Sequence, residues 1–274
     1  MTKASVRSRF ATSIFANILR GCLSFVTVLI LARTLGPEHY GNFAFLMGSF
    51  AALKILLGMG TQNAFYTFMS KKPRGGMFLA VYAAWQLAQL LLPLLFIGVV
   101  FPDDWVSRIW VGMDRGLVFL SFVAVFMQQQ GWYAMIQIGE STRLTRRVQM
   151  MNVSIALVHL LIICGLWVTD LLSLQLLFTI IAAEYMVAIG VAFKVLEVSG
   201  LPKEPFDGQK IFREYLAYCS PLIIYSLLGF AHEFADRWLL QYFGGSGEQG
   251  LYEIGYRFGL LSLLATTSLL NIFW

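Results

Sequence analysis

The stretch MFLAVYAAWQLAQLLLPLLFIGVVF, residues 77–101, decides the class of fold. Its 25 residues include no Asp, Glu, Lys or Arg. A helix of about 20 apolar residues crosses the hydrocarbon core of a bilayer, whereas strands rarely exceed about ten residues. Apolar and polar residues do not alternate along the stretch. We therefore interpret it as a membrane-spanning helix and not as a strand of a barrel.

Similar apolar segments fill most of the remaining chain. Among its 274 residues, 58% are hydrophobic and 13% are charged, with a mean hydropathy of +0.70. Soluble domains carry about 25% charged residues, so this composition excludes one, and it also excludes a disordered chain. We predict an all-α polytopic membrane protein of about eight spans. The other seven predicted spans are 11–32, 42–69, 116–138, 148–168, 171–195, 215–243 and 251–274.

Basic residues fall in alternate connections between these spans. The N-terminal tail and the loops after spans two, four and six hold thirteen Lys and Arg residues, whereas the opposite loops hold three. The positive-inside rule therefore predicts a cytoplasmic N-terminus, and it explains the net charge of +5 without a nucleic-acid partner. The thirteen are Lys3, Arg7, Arg9, Lys71, Lys72, Arg74, Arg143, Arg146, Arg147, Lys194, Lys203, Lys210 and Arg213; the three are Arg33, Arg108 and Arg115.

The longest polar stretch divides the predicted spans into six and two. It reads GLPKEPFDGQK at residues 200–210, and its prolines and balanced charges are typical of a linker. We predict a six-helix lobe at 1–199, a cytoplasmic linker at 200–212 and the first two helices of a second lobe at 213–274. The sequence stops inside an apolar run, which leads us to expect a fragment or an interrupted gene.

Two short glycine-containing turns resemble each other. LGPEHYGNF at residues 35–43 connects spans one and two, and GGSGEQGLY at residues 244–252 connects spans seven and eight. Internal repeats of this kind are common in transporters, with the substrate site between the halves. The similarity therefore indicates a transporter built from two related halves.

Four basic residues lie inside predicted spans and away from their last residues, where an ionisable group is costly unless it faces protein or water. They are Arg20, Lys54, Arg237 and Arg257. At about 1.5 Å per residue, Arg20 lies about 14 Å from the inner end of span one, and Lys54 about 18 Å from the outer end of span two. Neither has an acid in its own helix. We expect both to line a polar cavity for an anion such as phosphate.

Local ion pairs are the alternative for the other two basic residues. Arg257 lies four residues after Glu253, a spacing that allows a pair on one helix face. Arg237 has Glu233 at the same spacing and Asp236 beside it. His232, Glu233 and Asp236 also share nearly one face of span seven. That face either binds a cation or proton for coupling, or forms an ion-pair cluster with Arg237.

The remaining polar residues give no sign of catalysis. His159 is either an interhelical hydrogen-bonding residue or a proton relay. The sequence has no phosphate-binding glycine loop and no nucleophile elbow, and its three cysteines lack metal-ligand spacing. We therefore predict a protein that is not an enzyme and that needs no cofactor or metal.

Short motifs resemble those of bacterial polysaccharide-export flippases. RTLGPEHYG at 33–41 is similar to their Arg-x-Leu-Gly-x-x-x-Tyr-Gly signature. DRWLL at 236–240, followed by GLY at 250–252, is similar to their Asp-Arg-x-x-Leu and Gly-x-Tyr pattern. The motifs occur in the order expected for this O-antigen and capsule type of the multidrug/oligosaccharidyl-lipid/polysaccharide exporter superfamily. The matching residues include Arg33, Gly36, Tyr40, Gly41, Arg237, Gly250 and Tyr252.

The resemblance implies two six-helix lobes, twelve to fourteen helices in all, that open alternately to either side of the bacterial inner membrane. Such proteins move undecaprenyl-pyrophosphate-linked oligosaccharides, and glycan polymerases are expected partners beside membrane lipids. Related lipid II flippases carry cavity cations in spans one, two and eight. By that resemblance, Arg20, Lys54 and Arg257 bind the pyrophosphate, although Lys54 replaces the usual arginine. Proton or sodium coupling would involve His232, Glu233 or Asp236.

Two other functions remain open at this point. A multidrug or cation antiporter of the same superfamily would need an acidic cavity for cationic drugs, whereas Arg20 and Lys54 predict a basic one. A membrane enzyme of glycan assembly, such as a polymerase or ligase, would favour a large outer loop with catalytic residues. The longest predicted outer loop, residues 102–115, is short.

Overall fold

The computed structural model describes the backbone of residues 6–72, 74–198 and 207–273, and the side chains of 13–72, 74–198 and 207–259. These residues form α-helices and no strand. π-Helical turns follow α3, α5 and α9. The helices are α1 (Val6–Gly58), α2 (Thr61–Lys71), α3 (Gly76–Leu95), α4 (Asp103–Ile109), α5 (Arg115–Phe126), α6 (Trp132–Ser141), α7 (Thr145–Val168), α8 (Leu174–Val195), α9 (Gly208–Leu239) and α10 (Gly245–Phe273).

Two bends give the molecule two helical hairpins with the same backbone turn. Gly36 interrupts α1 at φ 72° and ψ 170°, and Gly245, the first residue of α10, has φ 81° and ψ 174°. Positive φ favours glycine, which explains the residue at each bend. We call α1 and α2 the first hairpin, and α9 and α10 the second. The end of the bundle with both bends is the glycine end; the opposite end, where α2 finishes at Lys71, is the basic end.

Within the described residues, five stretches are long and apolar enough to cross a membrane. Two of them, with 46 and 52 residues, are the bent helices of the two hairpins, and each holds parts of two predicted spans. Many large apolar side chains face outward, including Val99, Val168 and Phe243, each at least 75% exposed. The chain is therefore an all-α, multi-pass membrane protein, as its composition predicts.

Three predicted boundaries are wrong in detail. The span predicted at 42–69 is broken at Met59 and Gly60, which both have positive φ, and Leu222 of α9 packs where a side chain at Gly60 would lie. The eighth helix begins at Gly245 rather than near residue 251. α9 begins at Gly208, capped by the side chain of Asp207, so the end of the predicted linker is helical. Residues 200–206 of that linker and Lys3 of the N-terminal tail lie outside the described residues.

Helices α2, α3, α5 to α8 and the second half of α1 surround a buried interior. Phe45, Phe50 and Phe178 lie in one apolar cluster, and Phe65 and Phe78 in a second cluster nearer the basic end. Between helices, the amide of Gln130 donates to the side-chain oxygens of Gln86 and Gln89. These bonds satisfy polar groups that lipid could not satisfy, as expected for helix packing in a membrane.

Candidate functional site

The two hairpins meet at the glycine end through their backbones. A Cβ atom on Gly41 would collide with the carbonyl of Ser246, and one on Gly250 would collide with the carbonyl of Pro37. The two contacts are reciprocal, because Gly41 follows its bend by the same five residues as Gly250 follows Gly245. Gly36 has open space around it, so only its positive φ requires glycine there. The motif glycines therefore form the joint between the hairpins.

From this joint, α9 runs antiparallel to the first hairpin as far as the basic end. Polar contacts mark the seam at both ends. The amide of Gln241 donates to Asn42 at 3.0 Å, and Arg74 forms an ion pair with Glu214 at 2.9 Å. The Arg74 guanidinium also stacks on the rings of Phe68 and Phe78. The successive contacts are Asn42–Gln241, Gly48–Arg237, Ile55–Gly229, Gly60–Leu222, Thr67–Tyr218 and Arg74–Glu214.

Sequence reasoning missed the ion pair between Arg74 and Glu214. Arg74 is one of the three basic residues that follow the second predicted span, so it counts toward the charge asymmetry. Its partner lies 140 residues away, and no local spacing connects them. The pairing was recognisable only once α9 was placed against α2.

In the second hairpin, two arginines share one buried carboxylate. Arg237 Nη1 lies 3.1 Å from Glu253 Oε2, and Arg257 Nε lies 2.8 Å from Glu253 Oε1. The Glu253 side chain is 5% exposed, that of Arg237 15%, and that of Arg257 40%. The pair between Arg257 and Glu253 follows the predicted spacing. The predicted pair of Arg237 with Glu233 is not formed, because the bend at Gly245 brings Glu253 to Arg237.

In the first hairpin, Arg20 and Lys54 have no acidic partner among the described residues. Arg20 is exposed. Lys54 is half-buried, and its Nζ lies 5.2 Å from the centre of the Tyr133 ring. Along α1, Arg20 lies about 24 Å and Lys54 about 27 Å from the bend at Gly36. Arg20 is thus near the middle of the first half of α1, and Lys54 near the middle of the path from Gly36 to Lys71.

The three predicted cavity cations differ in depth and make no direct contact with one another. Arg257 lies about 18 Å along α10 from Gly245, nearer to the glycine end than Arg20 and Lys54 are. Within the described side chains, the neighbour of Lys54 is Tyr133 and that of Arg257 is Glu253. Their assignment to one substrate site remains a prediction.

The polar residues on α9 are exposed. His232, Glu233 and Asp236 all face outward, and Asp236 accepts a hydrogen bond from the Tyr252 hydroxyl at 3.4 Å. Neither His232 nor Glu233 has a polar partner among the described residues. Among all the described residues, no group of three or more His, Cys, Asp or Glu side chains is placed to hold a metal ion. The role of this face in ion coupling therefore stays a prediction.

Two further motif residues differ in burial. Tyr40 is 1% exposed and packs its ring 6.2 Å from that of Phe43. Arg33, one turn before the bend at Gly36, is exposed. Tyr40 therefore belongs to the packed interior beside the joint, and Arg33 to its surface.

Comparison with protein families matches residues 7–271 with the family described as polysaccharide biosynthesis protein. The match covers nearly the whole chain, so the protein belongs to this family. Neither the comparison with curated proteins nor that with solved structures gave a match.

Proposed function

We propose that this polysaccharide biosynthesis protein is a flippase. Its substrate is an oligosaccharide linked through pyrophosphate to a polyprenyl lipid, and it moves that lipid across the bacterial inner membrane for surface glycans such as O-antigen or capsule. One observation carries the proposal. Arg20 and Lys54 lie mid-depth on membrane helices, and the described residues supply no acid for either.

An unpaired cation at this depth is costly, so its presence calls for an anionic partner. Pyrophosphate offers several charged oxygens on a group small enough to pass between helices. Arg20 is suited to a two-pronged contact with phosphate oxygens, and Lys54 to a single charged hydrogen bond. The ring of Tyr133 holds the ammonium of Lys54 without neutralising it, which keeps that charge available.

Arg257 is the third cation of the proposed site, with a weaker role. Its side chain is 40% exposed, whereas Glu253, which it shares with Arg237, is almost fully buried. Arg237, Arg257 and Glu253 together carry a net charge of +1. A pyrophosphate at Arg257 would therefore compete with Glu253, and we expect Arg257 to contribute less affinity than Arg20 or Lys54.

The two hairpins supply the elements for alternating access. They meet in a reciprocal joint at the glycine end and in side-chain contacts at the basic end, as expected where related halves of a transporter face each other. In this proposal the chain moves its substrate without breaking a covalent bond, the N-terminus is cytoplasmic, and glycan polymerases act on the product.

Complementation tests this function. The gene, with whatever reading frame accompanies it, is expressed in bacteria that lack their own flippase, and surface glycan is scored. We expect wild type to restore the glycan, and Arg20→Ala or Lys54→Ala to lose it at equal membrane abundance. Lys54→Arg should retain it because the charge is kept. Arg146→Ala, an exposed arginine at the basic end, is the matched control and should behave as wild type.

Three other results would contradict parts of the proposal. Full glycan in both alanine variants would keep the flippase but remove the cation site. No glycan in any form, with resistance to cationic drugs instead, would favour an antiporter. Longer glycan chains without transport would favour an enzyme of glycan assembly.

A further inference from the structure

The ion pair between Arg74 and Glu214 uses only part of the arginine. Arg74 Nη2 donates to Glu214 Oε2 at 2.9 Å. Arg74 Nε, which lies on the same edge of the guanidinium, is buried and has no hydrogen-bond partner among the described residues. A buried donor without a partner is costly, and an arginine edge binds a phosphate or carboxylate best through two parallel N–H donors. The carboxylate of Glu214 therefore fills half of a site for a two-pronged anion.

Arg74 has contacts that hold it in place without Glu214. Its guanidinium lies 5.7 Å from the ring centre of Phe68 in α2 and 5.2 Å from that of Phe78, which belongs to α3. These cation–π contacts hold the charge without neutralising it. The Arg74 side chain is 12% exposed, whereas that of Glu214 is 31% exposed. Glu214 is thus the partner that can leave, because water can solvate its carboxylate.

A cavity of about 530 Å³ opens beside Glu214 at the start of α9, within the range of about 300–1,000 Å³ that is typical of small-molecule sites. Lys210 and Arg213 line it, and neither side chain has an acidic partner in the part of the chain that the structure describes. Asp207 also lines it, but its carboxylate accepts a hydrogen bond from the backbone of Lys210. With Arg74, three basic and two acidic groups surround the space, which favours an anion there. The other lining residues are Gln209 and Ala217.

This site lies at a different depth from the mid-helix cations. Arg74 follows the end of α2 at Lys71, and the cavity lies at the start of α9, which begins at Gly208. Lipid phosphate groups lie outside the hydrocarbon core, at the level of the helix ends. A lipid phosphate that reaches the basic end therefore meets Arg74 before it meets Arg20 or Lys54.

The described contacts that hold α9 at this end are between side chains. The ring of Tyr215 packs against that of Phe68 with 5.1 Å between their centres, and the Tyr218 hydroxyl lies 3.4 Å from Thr67 Oγ1. At the glycine end, by contrast, backbone carbonyls lie against glycines of the other hairpin. A partly exposed ion pair is weak. Loss of the pair between Arg74 and Glu214 therefore loosens the basic end, while the joint at the glycine end stays closed.

We propose that Arg74 is an entrance site for the phosphate group of a membrane lipid, and that Glu214 occupies this site until the phosphate arrives. The phosphate approaches through the cavity, attracted by Lys210 and Arg213. It then accepts hydrogen bonds from Arg74 Nη2 and Nε and displaces the carboxylate of Glu214 into water. α9 thereby loses its charged contact with the connection between α2 and α3, and the seam opens at the basic end. Only hydrogen bonds and ion pairs change, and no covalent bond forms or breaks.

A lipid that ends in pyrophosphate fits this site better than an ordinary phospholipid. Its additional oxygens and charge compete with a carboxylate more strongly than the single charge of a phosphodiester does. The identification of that lipid as the transported substrate rests on the proposed flippase function. The phosphate site and the opening of the seam do not.

Spin-label distances across the seam test the proposal. The parent is the full chain with alanine in place of its three cysteines, labelled either at Ser70 and Ala217 on the basic end or at His39 and Glu248 on the glycine end. All four positions are exposed. Undecaprenyl pyrophosphate, phosphatidylglycerol or inorganic pyrophosphate is added to the protein in phosphatidylcholine nanodiscs. We expect undecaprenyl pyrophosphate to lengthen the Ser70–Ala217 distance by about 5 Å or more, one helix turn, and to leave the other distance unchanged.

Three variants separate an anion site from a purely structural ion pair. Glu214→Gln should show the longer distance before any lipid is added, because an amide holds Arg74 more weakly than a carboxylate does. Arg74→Lys keeps a charge for Glu214 but lacks the second donor of the guanidinium edge, so half-maximal opening should need about tenfold more lipid. Lys71→Ala removes an exposed charge at the same end of α2 and is the matched control, which should open as the parent does.

The proposal is overturned if undecaprenyl pyrophosphate leaves the Ser70–Ala217 distance of the parent unchanged, or if Arg74→Lys responds as the parent does. Equal opening by inorganic pyrophosphate would overturn a site for a lipid, and equal opening by phosphatidylglycerol would overturn the preference for pyrophosphate. The double variant Arg20→Ala, Lys54→Ala should still open. Loss of opening there would assign the response to the mid-helix cations and overturn the entrance site. Failure of the proposed function would appear as absent glycan in the complementation experiment and would leave these distances unchanged.

Discussion

The two hairpins share a backbone shape but differ in charge. Gly36 and Gly245 have nearly the same φ and ψ, and Gly41 and Gly250 each press on a carbonyl of the other hairpin. Yet among the described residues Arg20 and Lys54 of the first hairpin have no acidic partner, whereas Arg237 and Arg257 of the second share Glu253. The shared backbone shape allows the two hairpins to meet closely at the glycine end. We propose that the difference in charge leaves the first hairpin available for binding an anion.

Because the two hairpins share a backbone shape, disrupting either side of the joint should lower the stability of the fold by a similar amount. Gly41→Ala and Gly250→Ala each place a methyl group against a backbone carbonyl, which cannot move aside as a side chain can. We expect each to lower stability by at least about 3 kcal/mol. Thermal unfolding in detergent measures the loss. Gly190→Ala, in open space on α8, is the control and should melt as wild type. A large effect at only one of the two glycines would contradict a reciprocal joint.

The charge difference predicts a strong effect of one acid in the second hairpin. Glu253→Gln leaves Arg237 and Arg257 without their carboxylate, and an uncompensated buried charge costs about 3 kcal/mol. Unfolding in denaturant, compared with wild type, would reveal it. Glu248→Gln changes an exposed acid on the same helix and should cost little. Equal stability of the two variants would mean that Glu253 does not hold the arginines.

The bends themselves should be less sensitive than the joint. The methyl group that Gly36→Ala or Gly245→Ala adds would meet no atom within 4 Å. The loss of stability therefore comes only from placing alanine at a positive φ. Both bends combine positive φ with ψ near 170°, a region open essentially to glycine alone, so that cost is about 2 kcal/mol for each. Their melting temperatures, measured beside Gly41→Ala, would rank the two kinds of glycine. A loss at Gly36 as large as that at Gly41 would show that the turn, rather than the close approach, dominates.

The smallest effect on stability is expected at the proposed substrate cations. Arg20→Ala and Lys54→Ala remove charges that have no acidic partner among the described residues. We expect stability to change by no more than about 0.5 kcal/mol. Parallel melts with Glu253→Gln give the comparison. A clear loss of stability in Arg20→Ala would indicate a structural role that the described contacts do not contain.

Long apolar runs and the glycine motifs were readable from the sequence, because hydrophobicity and positive φ are local properties. The class of fold and both bends follow from them. The break at Gly60 was not readable, since the apolar run continues through it and Leu222, which packs against Gly60, lies 162 residues away. The partner of Arg237 was mispredicted for the same reason. A spacing of four residues along one helix favours an ion pair of Arg237 with Glu233. The bend at Gly245 instead brings Glu253 of α10 next to Arg237.

Only part of the proposed site could be predicted from the sequence. Arg20 and Lys54 stand out because charges are rare in such helices. An interhelical hydrogen bond was one of the two predicted roles of His159, and its Nδ1 lies 2.6 Å from Glu184 Oε2; the partner was hidden because the two residues belong to different helices. Only the packing of α7 on α8 joins them.

Direct binding of the pyrophosphate lipid tests the central claim, that the unpaired cations of the first hairpin hold the anion. The affinity of the purified protein for undecaprenyl pyrophosphate is measured for wild type, Arg20→Ala, Lys54→Ala and Arg146→Ala, with undecaprenol as the uncharged control lipid. We predict that Arg20→Ala and Lys54→Ala each bind the pyrophosphate lipid about tenfold more weakly, the loss of one charged hydrogen bond. Arg146→Ala should bind as wild type, and undecaprenol should not distinguish the variants. Unchanged affinity in both Arg20→Ala and Lys54→Ala would contradict the account.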